Sequence, residues 1–249
     1  MKKRGPFQGM LAIARFNWPF YLGAVFAIFI AAAVSAFLVS PVISIICALV
    51  AAGAAYFIVV SLGVSWWVYD RSDLYRWDWL RKSLGEVSGK RLVACHSGFD
   101  EVSVPLKEEL PGNDWVLLDH FDEERMTEPS IHRARAFWPP APGTLPCPFD
   151  RWPVDDGSCD VIFGLLAIHE LRSEDERAAW FSEAKRCLKS GGRIVLGEHV
   201  RDVANFIAFG PGFLHFHSPA SWRRCWTRAG LREAATFPIT PFVRIFLLE

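Results

Sequence analysis

The apolar positions of this chain fall into two regimes. From Phe16 to Tyr69 there is no Asp, Glu, Lys, Arg or His. A helix needs roughly 20 apolar residues to cross hydrocarbon about 30 Å thick, and this run is long enough to do so twice. Ser40-Pro41 lies near its middle, and the residue before a proline is steered away from helix. The pattern therefore predicts two helices, at about 18–39 and 42–67, joined by a tight turn. Gly and Ala are frequent in both (AVFAIFIAAAVSA, ALVAAGAA), which lets two helices approach closely in lipid.

After Lys90 short apolar runs alternate with segments of helical period. RLVAC, DWVLLD, CDVIFGLLAI, RIVLGEH and VRIFLLE read as strands. EVSVPLKEEL, EPSIHRARAFW, SEDERAAWFSEAKRCLKSGG and SPASWRRCWTRAG read as helices. Ser173 and Glu176 have capping-box spacing, and Gly191-Gly192 is the expected stop. Such alternation predicts a mainly parallel sheet covered on both faces. Ligands of these sheets bind beyond the carboxyl ends of the strands, near the switch in strand order.

Between the two regimes, DRSDLYRWDWLRKSLGEVSGK mixes tryptophans with basic residues. It is either a helix lying at lipid headgroups or the first helix of the following domain. The proline-rich stretch 139–153 reads as a loop over the sheet edge. The expected organisation is a leader and two-helix hairpin over 1–69, a linker or first helix over 70–90, and an α/β domain over 91–249. There is no internal repeat.

Charge and composition refine this picture. Acidic and basic residues balance at 27 each, which argues against a nucleic-acid partner. The mean hydropathy of +0.19 is carried by the hairpin. Lys2, Lys3, Arg4 and Arg15 precede the first span; Arg71, Arg76, Arg81, Lys82, Lys90 and Arg91 follow the second; the turn carries no charge. The positive-inside rule then puts both termini in the cytoplasm, with a bacterial inner membrane the expected setting. Trp18 and Trp66-Trp67 fall at the same interface. A cleaved signal peptide is disfavoured by Arg15 and by the length of the uncharged run. The six cysteines form no CxxC and are expected as reduced thiols.

Three features stand in order for a nucleotide-like ligand. RLVAC ends in the turn HSGF. Asp119 ends the next strand about 20 residues on, where a carboxylate can accept hydrogen bonds from a ribose diol. WPVDDGSCDVIFGLLAIHEL places a polar turn before a third buried strand. With RCLKSGGRIVLGEH, SWRRCWTRAGL and FVRIFLLE in the same order, residues 88–249 resemble the class I S-adenosylmethionine-dependent methyltransferases, especially those acting on small molecules and quinones.

The resemblance implies a Rossmann-like seven-stranded sheet with the last strand antiparallel, and S-adenosyl-L-methionine as cofactor. It places the glycine loop on His96, Ser97, Gly98 and Asp100 and the ribose acid on Asp119. The adenine-side acid falls near Pro148, with Asp150 the nearest carboxylate, and Leu165 lies under the cofactor. The chain departs from the family at the loop: Ala94 replaces an acid, and His96 and Asp100 replace the outer glycines, whose missing Cβ lets backbone approach the ligand. Asp100 could meet the cofactor's amine or simply cap the next helix.

His169, beside Glu170 beyond the fourth strand, is the candidate base, against a structural role at that turn. Glu198-His199 is a second pair at the same edge. His215-x-His217 has no evident third ligand, so no metal is expected. NFIAFGPGFLHFH, residues 205–217, is either a lid for a lipid-soluble acceptor or a segment packed on the core or the bilayer. The sequence thus points to a membrane-anchored methyltransferase acting on a small lipophilic acceptor at the cytoplasmic face. The alternative is a non-catalytic subunit packed with other membrane subunits. A dinucleotide oxidoreductase would want a fuller GxGxxG after the first strand.

Overall fold

The computed structural model describes residues 4–38 and 40–249; Lys2, Lys3 and Val39, used above, lie outside them. Helix α1 (Gln8–Phe16) leads into the two long apolar helices, α2 (Trp18–Phe37) and α3 (Pro41–Trp66). Each opens with a proline in its first turn, where a missing N–H removes nothing. Both are long and apolar enough to cross a membrane, and almost none of their length is covered by the rest of the protein. The wide exposure of Phe26, Phe29, Leu49 and Val59 is what a lipid-facing surface requires. A π-helical turn (Trp67–Arg71) joins α3 to α4 (Asp78–Leu84).

Seven strands follow: β1 (Arg91–His96), β2 (Asp114–Asp119), β3 (Leu145–Pro146), β4 (Cys159–Leu165), β5 (Leu188–His199), β6 (Glu233–Thr240) and β7 (Val243–Leu248). Their order is 3-2-1-4-5-7-6. β7 alone runs against the others. Helices α5 (Ser103–Glu109), α6 (Pro129–Phe137), α7 (Glu174–Cys187), α8 (Val203–Phe209) and α9 (Pro219–Arg228) connect them.

Strand alternation splits the core. Val93, Cys95, Ile162, Ile194 and Leu196 meet Trp180, Phe181, Trp222 and Trp226 of α7 and α9. Leu92, Ala94, Val161, Phe163 and Val195 meet Trp77, Trp79 and Leu80 at α4 and Leu106 of α5. Successive side chains point to opposite faces, so runs buried on both sides read as continuously apolar. Trp77 and Trp79 are buried, so residues 70–90 supply the domain's first helix; their tryptophans do not reach toward headgroups.

The structure corrects the boundary after α7. Both bonds of the Ser173–Glu176 capping box are present, but the helix ends at Cys187, before the glycines. Leu188 already pairs with Cys159, and the register then jumps so that Arg193 faces Val161. Gly191, at φ +78, takes up the extra length between these two pairs. Leu145-Pro146 adds a short parallel edge to β2 within the proline-rich loop. EAATFPIT, unmarked by any strong pattern, is the outer strand β6.

Candidate active site

The predicted cofactor residues converge at the carboxyl ends of β1, β2 and β4. His96, Ser97, Asp100 and Asp119 are all buried. Asp119 is fully engaged. Its Oδ1 accepts from the backbone N–H groups of Gly98 and Phe121, at 3.1 and 3.0 Å. Its Oδ2 accepts from the Arg135 guanidinium at 2.5 Å. Arg135 also lies 4.5 Å from the Phe121 ring centre. Gly98 sits at φ +91, and a Cβ there would come within 2.6 Å of the Phe121 ring. The loop thus needs its one glycine for conformation and for space.

Asp100 caps α5 from outside: its Oδ1 accepts from Val102 and Ser103 N–H groups. Both alternatives for Asp100 remain compatible with this, because Oδ2 is buried without a partner, as are both ring nitrogens of His96 and the Ser97 hydroxyl. Orphaned buried polar atoms normally signal a ligand or water. Burial lowers the His96 pKa despite the nearby carboxylates of Asp100 and Asp119. Leu165 lines the same space.

These donors and acceptors fit the polar groups of S-adenosylmethionine, whereas the cavity bounded by His96, Asp100 and Leu165 is only about 10 Å³. That is room for one water. The mouth is packed by the protein's own side chains: Phe16 of α1 lies edge-on to Phe99, at 5.3 Å between ring centres, and Phe99 in turn to Trp138. The Arg133 guanidinium donates to the Phe16 carbonyl at 2.7 Å, tying α1 to α6. Asp150 is exposed in the turn after β3. The buried polar group on that side is His120, stacked on Trp152 and lowered to about 4 by burial.

A second cluster lies past β4 and β5. In the 3-10 turn Ile168–Glu170, His169 Nδ1 is 2.6 Å from Glu198 Oε2. Glu198 is wholly buried, and its Oε1 accepts from the N–H groups of Ala167, Ile168 and His169. With Glu198 already accepting from three backbone N–H groups, His169 Nδ1 is the donor to it, and His169 Nε2 lies 3.6 Å from Glu170 Oε1. The Glu198-His199 pair of the sequence is divided between two jobs. His199, pushed down to about 4 by burial, meets the Tyr69 hydroxyl at 2.8 Å and Asn205 at 3.1 Å. Tyr69 thereby links the end of the long apolar helices to this edge of the sheet.

His215 and His217 also part company. His217 is buried against the Arg177 guanidinium, which donates to its Nε2 at 2.9 Å; burial and that charge lower it to about 3. His215 ends the 3-10 turn Gly210–His215 and faces Glu128 at 3.1 Å and Glu170 at 3.5 Å. Burial opposes its charge, but the two carboxylates outweigh it and raise His215 to about 9.

Arg135 and Glu128 had no signal in the sequence, since both lie on or before an ordinary polar helix. The role of Glu198 was nearly legible: Leu165 pairs with Gly197, so the residues just beyond must converge.

The strand order with β7 alone reversed defines the class I S-adenosylmethionine-dependent methyltransferase fold. The family model described as a methyltransferase domain matches residues 126–196. No curated protein sequence matches the chain. Among solved structures it resembles a SAM-dependent methyltransferase from Aquifex aeolicus, at 17% identity and a TM-score of 0.53, covering 73% of this chain and 94% of that one. It also resembles a chain from the structure described as a complex between the Haloferax volcanii Trm112 methyltransferase activator and the putative methyltransferase, at 17% identity and a TM-score of 0.50, covering 78% of this chain and 96% of that one. At these identities the likeness is one of fold.

Proposed function

We propose that the protein is a membrane-anchored methyltransferase that passes a methyl group from S-adenosylmethionine to a small lipophilic acceptor at the cytoplasmic face. When bound, the cofactor supplies an electrophilic methyl on a sulfonium. The observation that carries the reading is the buried set Asp119, His96, Ser97 and Asp100 at the ends of β1 and β2, in which both His96 nitrogens, the Ser97 hydroxyl and Asp100 Oδ2 have no partner. Asp119 would hold the ribose hydroxyls once Arg135 leaves it, and Gly98 and Leu165 would border the cofactor. His169, oriented by Glu198, turns its Nε2 to the acceptor side. That lone pair would handle an acceptor's proton, either by taking it or by holding a cation that acidifies the acceptor.

The membrane half of the reading rests on α2, α3 and the segment 203–214. Val203, Phe206, Ile207 and Leu214 are exposed, and the Tyr56 hydroxyl of α3 donates to the Ile207 carbonyl at 2.9 Å. Tyr56 precedes the end of α3 at Trp66 by ten residues, about 15 Å along a helix. An apolar flap held at that depth suits entry of an acceptor from the bilayer. A cysteine-labelling scan should find residues 70–249 reachable only from the cytoplasmic side.

Calorimetry of the full chain in detergent with S-adenosylhomocysteine tests the cofactor assignment. Binding that Asp119→Ala weakens supports it. A folded protein giving no heat at millimolar ligand would overturn it and favour a non-catalytic subunit, the role that the packed loop mouth would suit.

A further inference from the structure

We propose that His169, Glu170 and His215 form a binding site for a divalent transition-metal ion at the acceptor side of the sheet edge. One donor atom of each lies within 4.8 Å of those of the other two. Glu170 Oε1 is 3.6 Å from His169 Nε2 and 3.5 Å from His215 Nε2. These separations are too long for good hydrogen bonds. They match the edge of a tetrahedral site, about 3.4 Å for bonds of about 2.0–2.1 Å.

The atoms behind the ligands say more than the ligands. His169 Nδ1 donates to buried Glu198, and His215 Nδ1 faces Glu128. Metal-binding histidines typically give their second ring N–H to a carboxylate, which fixes the tautomer and strengthens the lone pair. Here both Nδ1 atoms face carboxylates, which leaves the two Nε2 atoms gathered about one oxygen of Glu170. Arg172 clips the two turns together by donating to the carbonyls of His169 and His215. Its charge and that of His215 are exceeded by Glu128, Glu170 and Glu198 together, so the cluster stays net negative before an ion enters.

The donor set names the class of ion. Two imidazoles with one carboxylate suit zinc, iron, manganese, cobalt or nickel, while magnesium and calcium favour oxygen donors. Three protein ligands leave a position open for water or an acceptor oxygen, as in catalytic sites. The ligand side chains keep 12–24% of their surface, so an ion has a way in. Only the statement that the open position faces the acceptor rests on the methyltransferase reading; the metal site stands on its own residues.

The test is titration of the chelator-stripped full chain in detergent with Co²⁺, followed by visible absorption. One tightly held ion with the intense bands of low coordination is expected. His215→Asn and Glu170→Gln should each weaken it about 100-fold, and Glu198→Gln about 10-fold or more. His132→Asn, at a half-buried ring packed on Phe121 and outside the cluster, should leave it unchanged. Near-ultraviolet circular dichroism identifies any variant that fails to fold, and the remaining ligand variant then decides. The proposal is overturned if Co²⁺ keeps its aqueous spectrum, the result expected of a site that takes only a proton. Bands that survive both ligand variants would also overturn it. Calorimetry with S-adenosylhomocysteine on the same samples separates the two ideas, since either ligand can bind while the other fails.

Discussion

The two halves of the sheet's carboxyl edge meet the same problem with opposite results. At β1 and β2 the carboxylate of Asp119 is saturated by the protein's own donors, from Gly98, Phe121 and Arg135. At β4 and β5 Glu198 is equally saturated, but its effect is to orient His169. On the first side Arg135 closes Asp119 while His96, Ser97 and Asp100 Oδ2 beside it stay without partners; on the second, Glu198 turns His169 toward Glu170 and His215. A buried carboxylate at a strand end therefore does not by itself mark an open site. What its partners leave exposed decides that.

The sharpest way to break the comparison is Glu198→Ala. It leaves three buried N–H groups and an imidazole without their acceptor, at about 1–3 kcal/mol for each unsatisfied group. A total loss of about 4 kcal/mol or more is expected in denaturant unfolding, with Glu198→Gln milder because it keeps an acceptor. A loss below about 1 kcal/mol would mean that the turn Ile168–Glu170 holds itself.

Acid should test both halves together. His120 on the first side and His199 on the second have folded pKa values of about 4, below the ordinary value of about 6.5. The unfolded chain then binds more protons between these values. Stability is therefore full above about pH 6.5 and falls as pH drops toward 4, by at most about 3 kcal/mol for each group. The melting temperature followed over that range checks this. A flat profile would show that these imidazoles are not buried neutral.

Asp119→Ala and Arg135→Ala sharpen the contrast at the first half. Losing Asp119 removes a charged acceptor, and S-adenosylhomocysteine should bind about 10–100-fold more weakly. Removing Arg135 frees the same carboxylate, so binding should tighten by about 10-fold. The smallest effect is expected from Phe16→Ala. It removes a buried ring that α1 lays on Phe99 and should raise cofactor affinity a few-fold at about 3 kcal/mol of stability. Weaker binding in Arg135→Ala would instead make Arg135 a cofactor contact.

Much of the architecture was legible because it depends on local pattern. The uncharged run 16–69, the capping box at Ser173 and the buried runs at 92–95 and 161–165 each specify an element through period, cap or composition. The stop at Gly191-Gly192 was misplaced because a pairing to Cys159, remote in sequence, ended the helix earlier. The candidate site was legible as single residues only. The sequence singled out His169, Asp119 and Gly98, but gave no sign of the Arg135 guanidinium that engages Asp119.

The chain by itself thus determined its elements, their alternation and the family pattern of strand ends, since these follow from side chains interacting within a few residues. Only the tertiary structure decided that Arg135 closes Asp119, that Glu198 serves His169 while its neighbour His199 turns to Tyr69, and that His215 joins His169 without His217. Those pairings cross between strands and turns far apart in sequence. Their geometry comes from the register of β4 with β5 and from the seating of α1 on α6, neither of which any local window contains.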